Sequence, residues 1–387
     1  HNLSTSHRLL LATHYSLLPH TMPPTNIGLI GCGNISNAYF EGCQNYPSIK
    51  ITACADINVP HAQATAKKHG LAFGGSVDDL LARPDLDIVV NLTIPSAHAA
   101  INRQALGAGK HVYCEKPFAL TAADAAAVVA DAAAANLRVG SAPDTFMGAG
   151  LQTARSVIDE GLIGTPVSAF GFMLCPGHES WHPNPDFYYK FGGGPIFDMG
   201  PYYVTALVNL LGPVARVSGA AQTTFAERTI TSEPRKGEKI PVEISTHFST
   251  TLEFSGGPIG TLVMSFDTPH TDLPNIVIHG TKGTLNVCDP NRFDDPCFFK
   301  PAGADKFEPV PMAHATGRAR GTGVADLAAA VISGRGHRAS GQLAQHVIEV
   351  MEGAVSSPAE GRHVTIESTC ERPKPLPAGL NQSELDH

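Results

Sequence analysis

The 387-residue chain has no apolar run near the ~20 residues that cross a bilayer, no block of like charge, no Cys-x-x-Cys pair and a single tryptophan. The first absence excludes a helical membrane anchor. The second, with a net charge of −8 spread along the chain, excludes the basic stripe that nucleic acid or an anionic membrane surface requires. Eight cysteines without paired spacing read as free thiols in a reducing, cytoplasmic setting. The 18 histidines form no paired Cys/His arrangement, and the one His-Glu-x-x-His string, His178 to His182, falls in a segment dense in turn formers and not in a helical pattern, so no metal site is expected. Asp289, Asn291, Asp294 and Asp295 have the look of a calcium loop, but its central glycine and terminal glutamate are missing. They read as a polar turn. No Gly-x-Ser-x-Gly elbow occurs. Asn91-Leu92-Thr93 fits a glycosylation acceptor but sits at a strand end.

What is present is ample core material, 43% hydrophobic residues, with 38 glycines and 30 prolines to make turns. At this length two domains are expected. Residues 1–21 carry only a short Leu9-Leu10-Leu11-Ala12 run, too short for a signal-peptide core and without a small-residue cleavage site. They read as a non-native or disordered extension ahead of a natural start at Met22. A substrate and oligomerisation domain is expected over 143–372, after a nucleotide-binding domain over 22–142, with a polar tail over 373–387 that should fray.

Over 26–140 short apolar runs alternate strictly with helical patterns. Strands are predicted at 27–30, 49–55, 88–90, 111–113 and 137–140, and helices at about 34–45, 60–69, 96–108 and 121–135. Thr121 is placed to cap the last of these. Uniformly apolar strands alternating with helices predict a parallel sheet covered on both faces. Beyond about residue 142 the rhythm changes. A helix at 148–160 precedes strand-like segments at 167–174, 214–225, 245–254, 260–266, 275–279 and 284–287, and two further helices follow at 323–333 and 340–351. The chain is therefore expected to be an α/β Rossmann domain followed by an α+β domain with an open-faced, largely antiparallel sheet.

Gly31-Cys32-Gly33-Asn34-Ile35-Ser36 falls between the first predicted strand and helix. The first glycine permits the tight turn, the second lets a pyrophosphate approach the backbone, and the helix start beyond offers free N–H groups. Asp56 ends the second predicted strand, where a carboxylate accepts hydrogen bonds from both ribose hydroxyls and repels a 2′-phosphate. NAD is the expected cofactor, with NADP left open.

Glu115-Lys116-Pro117 follows the fourth predicted strand, at the sheet edge where a nicotinamide lies. The Gly31-Cys32-Gly33 turn, the run from Gly109 to Pro117 and the run Gly192-Gly193-Gly194-Pro195-Ile196-Phe197-Asp198-Met199-Gly200 occur in that order. Together they resemble the glucose–fructose oxidoreductase, inositol dehydrogenase and rhizopine-catabolism (Gfo/Idh/MocA) family, from about Asn26 to about Ile366. The resemblance implies that Lys116 contacts nicotinamide ribose and substrate, and that Asn91, Thr93, Pro95 and His98 form the turn against the adenine-ribose side. It likewise implies cofactor contacts for Asn34, Ile35 and Glu115, and a substrate-orienting role for Asp198. Many members carry an acid/base histidine four residues after that aspartate. Here the position is Tyr202, as in the branches of the family that have tyrosine there. Asp198 and Tyr202 are spaced i, i+4 and share a face of any helix through them. A phenol titrates near pH ~10, and Lys116 with an oxidised nicotinamide would lower that value. A Lys116–Tyr202 acid/base pair is the expectation, with Tyr203 the competing assignment.

The segment 176–190 is dense in aromatics and turn formers, and Trp181 and His182 are its first candidates for contact with a sugar ring; packing against its own domain or a second subunit is the alternative. The leading function is an NAD(P)-dependent dehydrogenase or reductase acting on a sugar, cyclitol or related polyol. The competing ones are a glycoside hydrolase of the same fold using transient sugar oxidation and a cofactor-sensing regulator without chemistry. An open-faced sheet needs cover, so a homodimer or homotetramer is expected.

Overall fold

The computed structural model describes residues 23–386; the extension assigned to 1–21 and the start at Met22 lie outside them. The first six strands are β1 (Thr25–Ile30), β2 (Ile49–Ala55), β3 (Phe73–Gly75), β4 (Ile88–Asn91), β5 (His111–Cys114) and β6 (Val139–Ser141). They form one sheet in the order β3-β2-β1-β4-β5-β6, with every neighbouring pair parallel. Helices α1 (Ser36–Cys43), α2 (Val59–His69), α3 (Val77–Leu81), α4 (His98–Gly107) and α5 (Ala122–Ala134) connect them. Thr121 caps α5 by accepting the Asp124 amide, as its position predicts. The strand order reverses between β1 and β4, which opens a crevice beyond their carboxyl ends.

The second half opens with α6 (Ala149–Asp159) and β7 (Pro166–Leu174), then α7 (Gly194–Leu211). Strands β8 (Val214–Gln222), β9 (Glu227–Thr229), β10 (Lys239–Pro241), β11 (His247–Phe254), β12 (Ile259–Ser265), β13 (Ile276–Gly280), β14 (Gly283–Val287), β15 (Phe298–Pro301) and β16 (Glu308–Pro309) follow, then α8 (Thr322–Ser333), α9 (Gly341–Glu360) and β17 (Val364–Thr365). Nine of these strands form a sheet ordered β16-β15-β14-β13-β7-β12-β11-β8-β17. Each neighbouring pair is antiparallel except β7–β12, which is parallel. The short β9–β10 hairpin lies apart and has no counterpart among the predicted elements.

Along β11 buried and open residues alternate, with Phe248, Thr250, Leu252 and Phe254 inside. That face packs under α7, with α9 covering the neighbouring β8, and the other face is open, as the period of two requires. Helix α7 begins at Gly194 and carries Pro201 in its interior. The ring removes an N–H and crowds the preceding turn, yet α7 is buried along nearly its whole length, and packing holds it.

The segment from Pro373, expected to fray, is instead docked. Arg155 donates to the Pro373 carbonyl, Arg338 to those of Lys374 and Pro375, and Gln152 accepts the Leu376 amide. Leu376 is buried.

Candidate active site

The glycine turn lies at the crevice. Gly31 has φ +97°, and a Cβ there would come within 2.6 Å of the Leu92 carbonyl carbon and oxygen, so only glycine fits. A Cβ on Gly33 would meet nothing within 4 Å; the space above it is open. The amides of Gly33, Asn34 and Ile35 find no acceptor among the described residues, and α1 begins just beyond them. Asp56 accepts the Cys32 amide at 2.8 Å through one carboxylate oxygen and the Asn58 amide at 2.9 Å through the other. Each oxygen keeps lone-pair capacity for a further donor. Ile57 and Ile94, just past the ends of β2 and β4, are exposed apolar side chains flanking this opening. The open space over Gly33, the free amides and the half-used carboxylate suit a dinucleotide's pyrophosphate and ribose.

Three of the residues assigned to the cofactor side spend their side-chain polar atoms within the protein. Asn91 is buried and spends its amide on the His98 carbonyl and Asn102, and its oxygen on the Thr93 amide and hydroxyl. His98, also buried, sets its ring nitrogens 2.7 Å and 2.9 Å from the Pro117 and Thr93 carbonyls. Glu115 accepts the Tyr39 hydroxyl on one oxygen and the Lys116 amide on the other. Buried polar groups must find partners inside the fold, so these side chains brace the crevice floor and tie the Thr93 turn to the Lys116 turn. Pro95 opens a short 3₁₀ turn between them.

Lys116, Asp198 and Tyr202 converge. The Lys116 ammonium donates to the Asp198 carbonyl at 2.9 Å and to its carboxylate at 3.1 Å, and lies 5.3 Å from the centre of the Tyr202 ring. Asp198 and Tyr202 sit one turn apart on α7. Burial alone would raise the Asp198 carboxyl, but the Lys116 charge and a hydrogen bond from His178 outweigh it and hold the group at about 2. Burial would likewise depress the Lys116 ammonium; the charges of Asp198, Tyr202 and Glu115 prevail and raise it. At neutral pH this is a fixed cation–carboxylate pair, not a proton shuttle.

Tyr202 differs from expectation. Its hydroxyl bonds the Arg320 guanidinium at 2.9 Å, and its titration is raised above the ordinary phenol value. Burial is the dominant cause, with Lys116 and Arg320 opposing it and Glu115 reinforcing it. Tyr203 turns away, bonding the Phe172 carbonyl and Asn275 beneath the sheet.

Two residues of the site lie outside the motifs that carry the family resemblance. His178 places its Nε2 3.0 Å from Asp198 and stacks among Trp181, Tyr188 and Phe266. Arg320 reaches in from the segment before α8. The candidates Trp181 and His182 lie one layer farther out. Trp181 is 60% exposed, edge-on to both histidine rings, and His182 is half-buried. The triple glycine brings this loop against α7: a Cβ on Gly193 would lie 2.2 Å from the Phe187 carbonyl oxygen. No group of three metal-ligating side chains occurs among the described residues, and the Asp289–Asp295 turn spends Asp289 and Asp294 on the amides of Asn291 and Gly317.

Residues 25–142 match the family model described as "Oxidoreductase family, NAD-binding Rossmann fold", and 151–286 match "GFO/IDH/MocA C-terminal domain". The chain is 31% identical to a 1,5-anhydro-D-fructose reductase of Ensifer adhaerens over 44% of its own length and 52% of the relative's. It is 26% identical to a levoglucosan dehydrogenase of Pseudarthrobacter phenanthrenivorans over 68% and 73% of the two lengths. The match thus spans about half of the first relative and about three quarters of the second. Among solved structures, a levoglucosan dehydrogenase in complex with NADH and L-sorbose superposes with a TM-score of 0.76 at 23% identity, over 90% of this chain and 100% of that one. At that identity the likeness is one of fold.

Proposed function

Because the chain belongs to the GFO/IDH/MocA oxidoreductase family and carries its NAD-binding Rossmann domain, we propose that it transfers a hydride between NAD and a secondary alcohol of a sugar, cyclitol or related polyol. The observation that carries this reading is the Lys116 ammonium, fixed by Asp198 at 3.1 Å while facing the Tyr202 ring, beyond the carboxyl ends of a parallel sheet. The sugar-derived names of the relatives and the NADH and L-sorbose of the solved neighbour support a polyhydroxylated substrate.

The amides of Gly33, Asn34 and Ile35 and the Asp56 carboxylate would hold NAD, which when bound would supply the hydride acceptor in one direction and the donor in the other. In oxidation Tyr202 takes the proton of the substrate hydroxyl, and in reduction it returns it. Lys116 holds that oxygen and steadies its developing negative charge. Asp198 keeps Lys116 in place and, through the remaining capacity of its carboxylate, orients a neighbouring hydroxyl. Ile57 and Ile94 offer apolar surface to the adenine ring. The open face of the nine-stranded sheet supports a homo-oligomer, and the eight free cysteines support a reducing, cytoplasmic setting.

The test is a screen of sugars and cyclitols with NAD, followed at 340 nm. Stoichiometric accumulation of NADH is expected with at least one polyol. Glycoside cleavage without net NADH would overturn the dehydrogenase in favour of the hydrolase. Cofactor choice gives a second prediction: Asp56→Ser with Ile57→Arg removes the ribose acceptor and adds a partner for a 2′-phosphate. The ratio of kcat/KM for NADP over NAD should rise about 10- to 100-fold. An unchanged ratio would show that Asp56 does not meet the ribose.

One observation favours a second assignment of the proton acceptor: the contact of His178 with Asp198 is an orienting carboxylate–imidazole pair. Side-by-side kinetics of His178→Gln and Tyr202→Phe decide it, since the base is the residue whose loss flattens the pH dependence of kcat.

A further inference from the structure

We propose that Arg320 is a positioning residue for the reaction: its guanidinium occupies an acceptor lone pair of the Tyr202 hydroxyl and so leaves the tyrosine's own proton for the substrate oxygen. This rests on the reading of Tyr202 as the acid/base group.

Arginine has five donors, no acceptor, and no accessible neutral form. At 2.9 Å the bond between Arg320 Nη2 and Tyr202 Oη therefore has one possible polarity at every working pH. The phenolic hydrogen cannot point at Arg320. It must turn elsewhere. A lysine in this role would be a mobile point charge; the planar fork is held in one orientation.

The placement of Arg320 is specified by several contacts. Asp144, fully buried just after β6, accepts the amides of Gly321 and Gly323 at 3.0 Å each and so pins the start of α8. On the other side α1 packs against the Arg320 carbonyl, so closely that a Cβ on Gly42 would stand 1.8 Å from that oxygen. The same Nη2 reaches Asn291 at 3.3 Å, which steadies the fork from the Asp289–Asp295 turn. Arg320 thus joins the two domains to the tyrosine: Asp144 and α1 set the backbone, and Asn291 and Tyr202 set the side chain.

The charge environment agrees with the geometry. Lys116 and Arg320 both oppose the burial that raises the phenol, and Glu115 works with burial; Tyr188 also faces the group. Around Arg320 stand Tyr202, Glu115, Asp144 and Tyr39. Loss of the guanidinium removes a cation from beside the phenolate, so the phenol should titrate higher still. Oxidation, which needs the deprotonated form, should move to higher pH.

The experiment compares kcat–pH profiles for polyol oxidation by the intact enzyme with saturating NAD. Arg320→Met should shift the rising limb upward by about 1 to 3 pH units and lower kcat about tenfold or more at pH 7. KM for NAD should not change. Arg320→Lys, which keeps a donor and a charge, should recover part of the loss. Tyr202→Phe/Arg320→Met should be no slower than Tyr202→Phe alone. A folded Arg320→Met enzyme with the wild-type profile overturns the proposal, as does a lysine variant no better than methionine or a double variant slower than Tyr202→Phe. If Arg320→Met does not fold, Arg320→Gln, which keeps donors but no charge, reads the same shift. The reading of Tyr202 fails separately, if Tyr202→Phe alone keeps its activity; collapse of Tyr202→Phe with an unmoved Arg320→Met profile sinks only the role of Arg320.

Discussion

Tyr202→Phe is expected to lower kcat by about 10²- to 10⁴-fold, the usual worth of a positioned acid/base group, with little change in KM for NAD. The substitution removes one oxygen from a ring that stays buried on α7, so the fold should tolerate it apart from the lost Arg320 bond. The phenol titrates above its ordinary value because burial outweighs the two nearby cations. It is therefore protonated at neutral pH and, on the proposed mechanism, should serve directly as the acid in reduction. In oxidation the deprotonated form is required, so wild-type oxidation should climb with pH and reduction should fall as pH rises through the same value. Both limbs should flatten in the phenylalanine variant. Steady-state rates from pH 6 to 10 check this: oxidation should climb throughout the range while reduction, whose fall begins only near the raised phenol value, stays level, and a Tyr202→Phe enzyme that retains the wild-type climb would move the acid/base role to His178.

Lys116→Met should be still more damaging, with kcat/KM down about 10³-fold or more from loss of the charge that steadies the reacting oxygen and of one cation beside Tyr202. It should also be felt in stability. Asp198 would keep only His178 as a side-chain partner. Breaking a largely buried ion pair costs about 3 kcal/mol, a figure at the low end because both side chains keep some exposure. The sign with pH follows from the carboxyl being held at about 2, below its unfolded value near 4. The pair's stabilisation is complete above about pH 4 and is lost as the pH falls toward 2. Thermal unfolding across pH 3 to 7 should show the variant's deficit shrinking at the acid end. A variant equal to wild type in both activity and stability would mean that Lys116 faces solvent.

Much of the site can be read in the sequence because its residues sit in local patterns. The glycine turn, Asp56 at a strand end, Lys116 in Glu-Lys-Pro and the i, i+4 pair on α7 are each defined by spacing within one or two elements. Arg320 and His178 are not. Arg320 acts through a contact across |i−j| = 118 and lies in a glycine- and arginine-rich run with no periodicity. His178 belongs to an irregular loop, and without a helical or strand period nothing in the chain says that His178, and not Trp181 or His182, turns inward. The signal that did exist was negative charge: a carboxylate such as Asp198, buried beside the reacting centre, needs more than one partner. The docked tail was hidden for a different reason. Its anchors are backbone carbonyls taken by Arg155, Arg318 and Arg338, and side-chain polarity does not report on them. Asn91, His98 and Glu115, which the family resemblance assigns to the cofactor side, use their side-chain polar atoms to hold the crevice together.

The claim beneath these predictions is that an ammonium and a phenol from distant parts of the chain serve one substrate oxygen. A crystal structure of the enzyme with NADH and a polyol that it turns over tests this directly. Lys116 Nζ and Tyr202 Oη should both lie within about 3.2 Å of the same oxygen, with its carbon facing the nicotinamide. A polyol whose reacting oxygen is held by neither group, or by His178 alone, would contradict it.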